Sequence, residues 1–186
     1  LSQLARAKEF GIREARADFD FAAVMERVQR VVQAVEPHDS IERYTRLGVE
    51  VIEGAARIVS PWEVEIACHD GTTRRLTTRS LVIAAGGRPF VPPIPGLDAV
   101  GYLTSDTVWA LRELPKRLVV LGGGPIGAEL AQAFARFGVR VTLVQQGPRI
   151  LNREDPDVSE LVMQRFRAEG IEVLVEHQAK QFLGLV

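Results

Sequence analysis

The segment Leu118–Glu129, LVVLGGGPIGAE, constrains this chain more than any other stretch of it. Leu118-Val119-Val120-Leu121 is a short apolar run that meets three glycines, Gly122, Gly123 and Gly124. Gly127 follows, and an alanine-rich run opens behind it. A G-x-G-x-x-G spacing carries physical meaning when a strand precedes it and a helix follows, as here. Gly122 permits the sharp turn out of the strand. Gly124 leaves room for a pyrophosphate to approach the backbone, and Gly127 lets the helix pack close to the strand. The free N–H groups and the positive end of the helix dipole then face the phosphates. The spacing therefore predicts a dinucleotide site founded on Gly122, Gly124 and Gly127.

The flanks extend the pattern. Ala128, Leu130, Ala131, Ala133, Phe134, Ala135 and Phe137 continue a helix, and Gly138 is its expected stop. Val139 to Gln145 reads as a second buried parallel strand. A second helix is expected from about Pro156 to Glu169, ended by Gly170, with a third strand over Ile171 to Val175. The order β-α-β-α-β predicts a parallel sheet with right-handed crossovers.

Upstream, Leu1 to Lys8 reads as the end of a helix. Asp20 can cap another, in which Phe21, Val24, Met25, Val28, Val31, Val32 and Val35 recur at helical spacing until Pro37. Asp39 or Ser40 can cap a short helix through Leu47. Val49 to Glu53 reads as a strand. Trp62, Val64 and Ile66 alternate with Glu63, Glu65 and Ala67, and Asp70-Gly71 signals a hairpin returning through Thr72 to Thr78. Leu81 to Ala84 reads as a short buried strand. The prolines at 89, 92, 93 and 95 make residues 88–96 a connector. Thr104-Ser105-Asp106 can cap a helix to Leu114. Two units follow, residues 1–115 and residues 116–186.

Composition narrows the function classes. The formal charge of −1 argues against nucleic acid or an anionic membrane surface as partner. No apolar run approaches the roughly 18 residues of a membrane span, and no secretory leader is expected. A single cysteine, Cys68, fits a reducing, cytoplasmic setting. Cys68-His69-Asp70 is not read as a catalytic triad, because neighbours on a strand face opposite ways and Asp70-Gly71 is a turn. His38 and His177 stand alone, without metal-ligand spacing. Trp62 and Trp109 read as packing residues, and Arg74-Arg75 as a solvated face.

Two further segments carry a resemblance. Leu81 to Leu97, LVIAAGGRPFVPPIPGL, is similar to the A-T-G-x-x-P strand end and proline-rich connector of the FAD-dependent pyridine nucleotide–disulfide oxidoreductases. The fingerprint GGGPIGAELA follows at that family's spacing, with its glutamate at Glu129, and Gly48 to Ala56 resembles its G-V-x-x-x-x-G-x-A segment. Arg153-Glu154-Asp155-Pro156 and Phe166 to Leu174 look most like the mercuric reductases, beside the dihydrolipoamide dehydrogenases. The resemblance implies a three-layer, Rossmann-like α/β fold. Part of an FAD domain would occupy residues 1–115, and the first half of an NAD(P) domain residues 116–186. It also implies an internal piece of a homodimeric enzyme. The first fingerprint, the C-x-x-x-x-C disulfide and its lysine are not in the chain.

In such an enzyme a hydride passes from NAD(P)H to FAD, and electrons go on to a disulfide such as lipoamide or to Hg(II). No residue of this chain would itself be catalytic. Gly122, Gly124, Pro125, Ile126 and Gly127 would line the pyrophosphate, with Glu129 on the nicotinamide side. The alternative for Glu129 is a carboxylate helping the helix dipole. Gln145-Gln146 stand where an acidic residue selects NAD. Its absence, with Arg149 or Arg153 nearby, tilts the reading towards NADP; the alternative for both arginines is a solvated loop. Ala56, Ala85, Gly86 and Ser105 would lie by FAD, with Ala85 in place of the family's threonine. FAD is not expected to be retained, and self-association is expected, with extra pairing near Gln178 to Val186. Two other readings stay open: a catalytically silent nucleotide-binding module, and a stand-alone NAD(P)-dependent dehydrogenase, which would need a proton relay the chain does not display.

Overall fold

A computed structural model describes residues 1–184. The chain divides into two compact units, one of residues 1–27 with 89–186 and one of residues 28–88. This differs from a division at residue 115, because residues 1–27 and 89–115 both join the later half.

The first unit is built around a parallel sheet. β4 (Arg117–Leu121), β5 (Arg140–Gln145) and β6 (Glu172–Val175) lie in the order β4-β5-β6, each pair parallel. α5 (Pro125–Arg136) joins the first two strands and packs on both; α6 (Pro156–Ala168) joins the next two and packs on β6. The turns end as the glycines require: Gly138 at φ 90° and Gly170 at φ 81° take the left-handed conformation that stops each helix. The core gathers Val141 and Leu143 of β5, Ala131 and Phe134 of α5, Met163 and Phe166 of α6, and Ile150 and Ile171. The amino-terminal segment reaches this core through aromatics. Phe21 lies edge-on to Phe137 with ring centroids 5.7 Å apart, and Phe19 is 5.5 Å from the same ring. Geometry of this kind adds about 0.5–1.5 kcal/mol per pair beyond burial, which explains why residues 1–27 belong here.

α1 (Ser2–Ala5) and a 3₁₀ turn at Ala7–Phe10 open the chain. α2 (Phe21–Val35) starts where Asp20 caps it, its Oδ1 accepting from the Ala22 N–H at 2.8 Å. In the second unit, Ser40 caps α3 (Ile41–Arg46), accepting from the Arg43 N–H. β1 (Gly54–Ser60), β2 (Glu63–Cys68) and β3 (Thr73–Thr77) form an antiparallel meander. Asp70 accepts from both the N–H and the hydroxyl of Thr72, which fixes the β2–β3 hairpin. The Thr72 hydroxyl, foremost, holds the Asp70 carboxyl below its usual range. Arg74 and Arg75 are not simply solvated: Arg57 and Arg75 flank Glu65, Arg75 also reaches Glu63, and Arg74 pairs with Glu50. Trp62 is 62% exposed, so it is not the packing residue expected.

Three expected elements do not form. Val49 to Glu53 and Leu81 to Ala84 are extended but unpaired, and Val82 and Ile83 are 88% and 72% exposed. A strand needs a neighbour for its N–H and C=O groups, and neither segment has one among the described residues. Instead of a helix to Leu114 there is one 3₁₀ turn, Val108–Ala110. Beyond it only the four-residue helix α4 (Leu97–Val100) interrupts the connector region. The pairing expected near Gln178 to Val186 is internal where it is described. The Phe182 N–H donates to Pro95 O at 2.8 Å, and Gly96, at φ 81°, admits it because a Cβ there would stand 2.1 Å from Phe182 O. Leu185 and Val186 lie outside the described residues.

Candidate functional site

The glycine loop joins β4 to α5. Gly122 turns at φ 100°, which L side chains rarely adopt, while its N–H still donates to Val144 O at 2.8 Å and prolongs the β4–β5 ladder. Gly124 caps α5 in extended conformation, and its carbonyl accepts the Ala128 N–H. A Cβ on Gly124 would meet nothing within 4 Å, so open space lies in front of this backbone. A Cβ on Gly127 would stand 2.1 Å from Gly122 O. Helix and strand can therefore approach as they do only with glycine at 127. Pro125 occupies the first helical turn and has no N–H to leave unpaired. No side chain caps α5. The N–H groups of Gly124, Ile126 and Gly127 thus remain as donors at the positive end of the helix, the arrangement that receives anions. Ile126 is 60% exposed beside them. The loop fits a dinucleotide pyrophosphate.

Around the loop, the expected residues separate by what they touch. Gln145, at the end of β5, turns its amide onto the loop: Oε1 accepts from the Gly123 N–H at 2.8 Å. Arg149 is turned inward and donates through Nη2 to the carbonyls of Asn152 and Glu154, and its buried Nε finds no acceptor. Gln146, Arg153 and Glu129 are exposed, and none makes a side-chain hydrogen bond or ion pair among the described residues. Glu129 sits one turn into α5.

The residues expected near FAD are divided between the two units. Ala56 is on β1, and Ala85 and Gly86 lie in the exposed, unpaired segment after Ser80, all in the unit of residues 28–88. Ser105 belongs to the other unit, where its carbonyl accepts the Trp109 indole N–H at 2.6 Å. Gly86 has a left-handed φ of 69°, and a Cβ there would meet nothing within 4 Å. Among the described residues there is no group of His, Cys, Asp and Glu able to hold a metal ion, and no helix long and apolar enough to cross a membrane.

Contacts around the loop that sequence reasoning did not foresee involve Gly123, Ile150, Leu151 and Ser159. Their one sequence signal was a glycine at a place where the G-x-G spacing asks for none.

The chain is 36% identical over 170 residues to a mercuric reductase of Streptomyces lividans, covering 91% of this chain and 36% of that protein. It is 33% identical over 175 residues to a dihydrolipoyl dehydrogenase of Chlorobaculum parvum, covering 92% and 36%. Among solved structures it resembles LpdA from Mycobacterium tuberculosis, with a TM-score of 0.74 at 25% identity over 97% of this chain and 39% of that one. It also resembles the Cu(II) complex of the HOCl-induced flavoprotein disulfide reductase RclA from Escherichia coli, with a TM-score of 0.69 at 27% identity over 88% and 37%. The chain thus spans about a third of the length of the curated relatives it matches. The Rossmann-like α/β fold expected of it is the fold it has, and since residues 6–185 match the family as a whole, the chain belongs to the pyridine nucleotide-disulphide oxidoreductases.

Proposed function

We propose that this chain binds the pyrophosphate of NAD(P)H on its glycine loop and serves an oxidoreductase in which the coenzyme reduces FAD and, onward, a disulfide or Hg(II). The observation that carries the reading is the loop itself: three unpaired N–H donors at the start of α5, an open approach over Gly124, and Gly127 pressed against Gly122 O. NAD(P)H, if bound on this loop, would supply a hydride to a flavin in the whole enzyme. The residues of this chain bind and orient. Gly124, Ile126 and Gly127 donate to the pyrophosphate, Ile126 offers an apolar surface beside it, and Glu129 takes the nicotinamide side. No catalytic group is assigned within the chain. The silent-module and stand-alone dehydrogenase readings gain no observation of their own.

For coenzyme choice, Arg153 is the cation free to meet a 2′-phosphate, since Arg149 is engaged within its own loop. Gln145 and Gln146 add no negative charge to oppose one. Calorimetric titration of the chain with NADPH and NADH tests both levels. Binding of NADPH is expected, weakened by Arg153→Ala, with NADH affinity unaffected by that change. A charge-assisted hydrogen bond of this kind contributes about 1.5–3 kcal/mol. Failure to bind either coenzyme overturns the binding reading, and tighter binding of NADH overturns the choice of NADPH alone.

FAD is not retained by this chain on the same reading, since Ala85 and Gly86 lie in exposed, unpaired backbone. Purified chain showing the visible absorbance of a flavin would count against this. Self-association follows from the exposed apolar side chains of Val82, Ile83 and Phe90 and from the unpaired edges of β4 and β6. Light scattering should show a mass that rises with concentration; a fixed monomer at every concentration would contradict it.

A further inference from the structure

Gly123 is the residue of the fingerprint on which the spacing places no demand, yet it is held on every side. Its N–H donates to Gln145 Oε1 at 2.8 Å, and its carbonyl accepts from the Leu151 N–H at 2.7 Å. It is buried, and a Cβ at this position would stand 2.5 Å from Cγ2 of Ile150. Ile150 is itself fully buried. Its carbonyl accepts the hydroxyl of Ser159, on α6, at 2.6 Å, and Ser159 is the one buried polar side chain among the described residues. Leu151 keeps a left-handed φ of 49°, a conformation a leucine holds only where its surroundings over-determine it. Farther along, the Glu176 and His177 N–H groups, just after β6, donate to Gly147 O and Gln145 O and secure the start of the same loop.

From these contacts we infer that residues 145–159 form a clasp that sets the conformation of the glycine loop, with Gln145 and Ser159 as positioning residues. The inference rests on the coenzyme reading for its consequences in binding, but the clasp is defined by the chain's own hydrogen bonds. It reassigns Gln145. The amide oxygen at the end of β5 is held by the Gly123 N–H, which fixes the direction of the side chain and leaves only a second lone pair for a ribose hydroxyl. The Gly123 N–H is correspondingly withdrawn from the phosphates, which leaves those of Gly124, Ile126 and Gly127. The loop bearing Gln146, Arg149 and Arg153 cannot shift without pulling on Gly123. Affinity for the pyrophosphate and discrimination at the adenosine ribose are therefore coupled through one residue.

The test is amide hydrogen exchange by NMR on the full chain, paired with calorimetric binding of NADP⁺ and NAD⁺. Gln145→Met keeps the side-chain volume and removes the acceptor. It should speed exchange at Gly123 on the order of ten-fold and weaken both coenzymes together. Gln145→Glu keeps an acceptor, so Gly123 should stay protected while NADP⁺ alone is weakened by the added negative charge. Ser159→Ala should speed exchange at Leu151, which carries the test if Gln145→Met does not fold. Unchanged protection at Gly123 and Leu151 in the folded variants overturns the clasp. A wild-type chain that binds neither coenzyme overturns the reading of the site instead, and the exchange measurements then decide the clasp alone.

Discussion

At the scale of single residues, the glycines of one loop do different work, and substitution separates them. A Cβ at Gly127 must displace Gly122 O from 2.1 Å, and backbone on both sides leaves little to yield. Gly127→Ala should therefore lower stability by roughly 1–3 kcal/mol, the cost of forced overpacking, read as a lower denaturant midpoint. At Gly124 a Cβ meets open space and the φ of −74° suits any residue. Gly124→Ala should leave stability within about 0.5 kcal/mol and weaken dinucleotide binding, because the methyl occupies the approach to the backbone. Loss of stability at 124, or its preservation at 127, would reverse these assignments. The close approach at Gly127 was legible in the sequence, since it follows from backbone sterics at a fixed spacing. The direction of Gln145 was not. The end of β5 could be located from the apolar run, but which way its last side chain turns depends on Gly123 having an N–H without another acceptor.

Among the elements, the ends of α5 and α6 are joined by charge. Glu169, just past the end of α6, accepts from Arg136 of α5 at 2.8 and 3.0 Å and from Arg165 one turn back. A carboxylate at a helix C-terminus is unfavourable towards the dipole, so the two arginines are what make it tolerable. The Arg136 hydrogen bond, opposed by partial burial and aided by Arg165, holds the Glu169 carboxyl below its usual range. A group whose pKa is lower folded than unfolded stabilises the fold above its unfolded pKa. That contribution is lost as pH falls through the folded value. The chain should thus lose stability as pH drops below the ordinary carboxylate range. Glu169→Gln should give up about 1 kcal/mol at neutral pH, in keeping with a partly exposed pair, and flatten that acid slope. Thermal denaturation from neutral to acid pH measures it; parallel curves for the two proteins would exclude the pair as its source. Elements with their own stop signals, such as α5 with Gly138 and α6 with Gly170, were readable from sequence. Val49–Glu53 and Leu81–Ala84 were misread because an apolar run records a tendency to be buried in a sheet and says nothing of whether a neighbouring strand is there.

For the whole molecule, burial is unevenly shared between the two units. Nearly all buried apolar side chains belong to the unit of residues 1–27 and 89–186, including Val141, Leu143 and Ile150, which are essentially inaccessible. Among the described residues the unit of 28–88 buries only Ile66 and leaves Val31, Val32, Val35, Val82 and Ile83 exposed. Each large apolar side chain taken fully out of water contributes about 1.5–3 kcal/mol. The exposed ion pairs along the meander cannot make up such a difference, since surface pairs of that kind are weak. The units should therefore open separately, with residues 28–88 opening first. Limited trypsinolysis reports this directly. Arg79 follows β3 in exposed chain, whereas Arg136 and Arg165 lie in helices that pack on the parallel sheet. Cleavage after Arg79 should come first, the Arg88–Pro89 bond resisting trypsin, and a product beginning at Ser80 should persist. Added NADPH should protect the sites in α5 and α6, because a ligand that binds only the folded glycine loop stabilises that unit by mass action, and it should leave the rate at Arg79 unchanged. A first cut within α5 or α6 would mean that the parallel sheet is not the stable part of the chain, and equal protection of Arg79 would mean that the two units do not open independently.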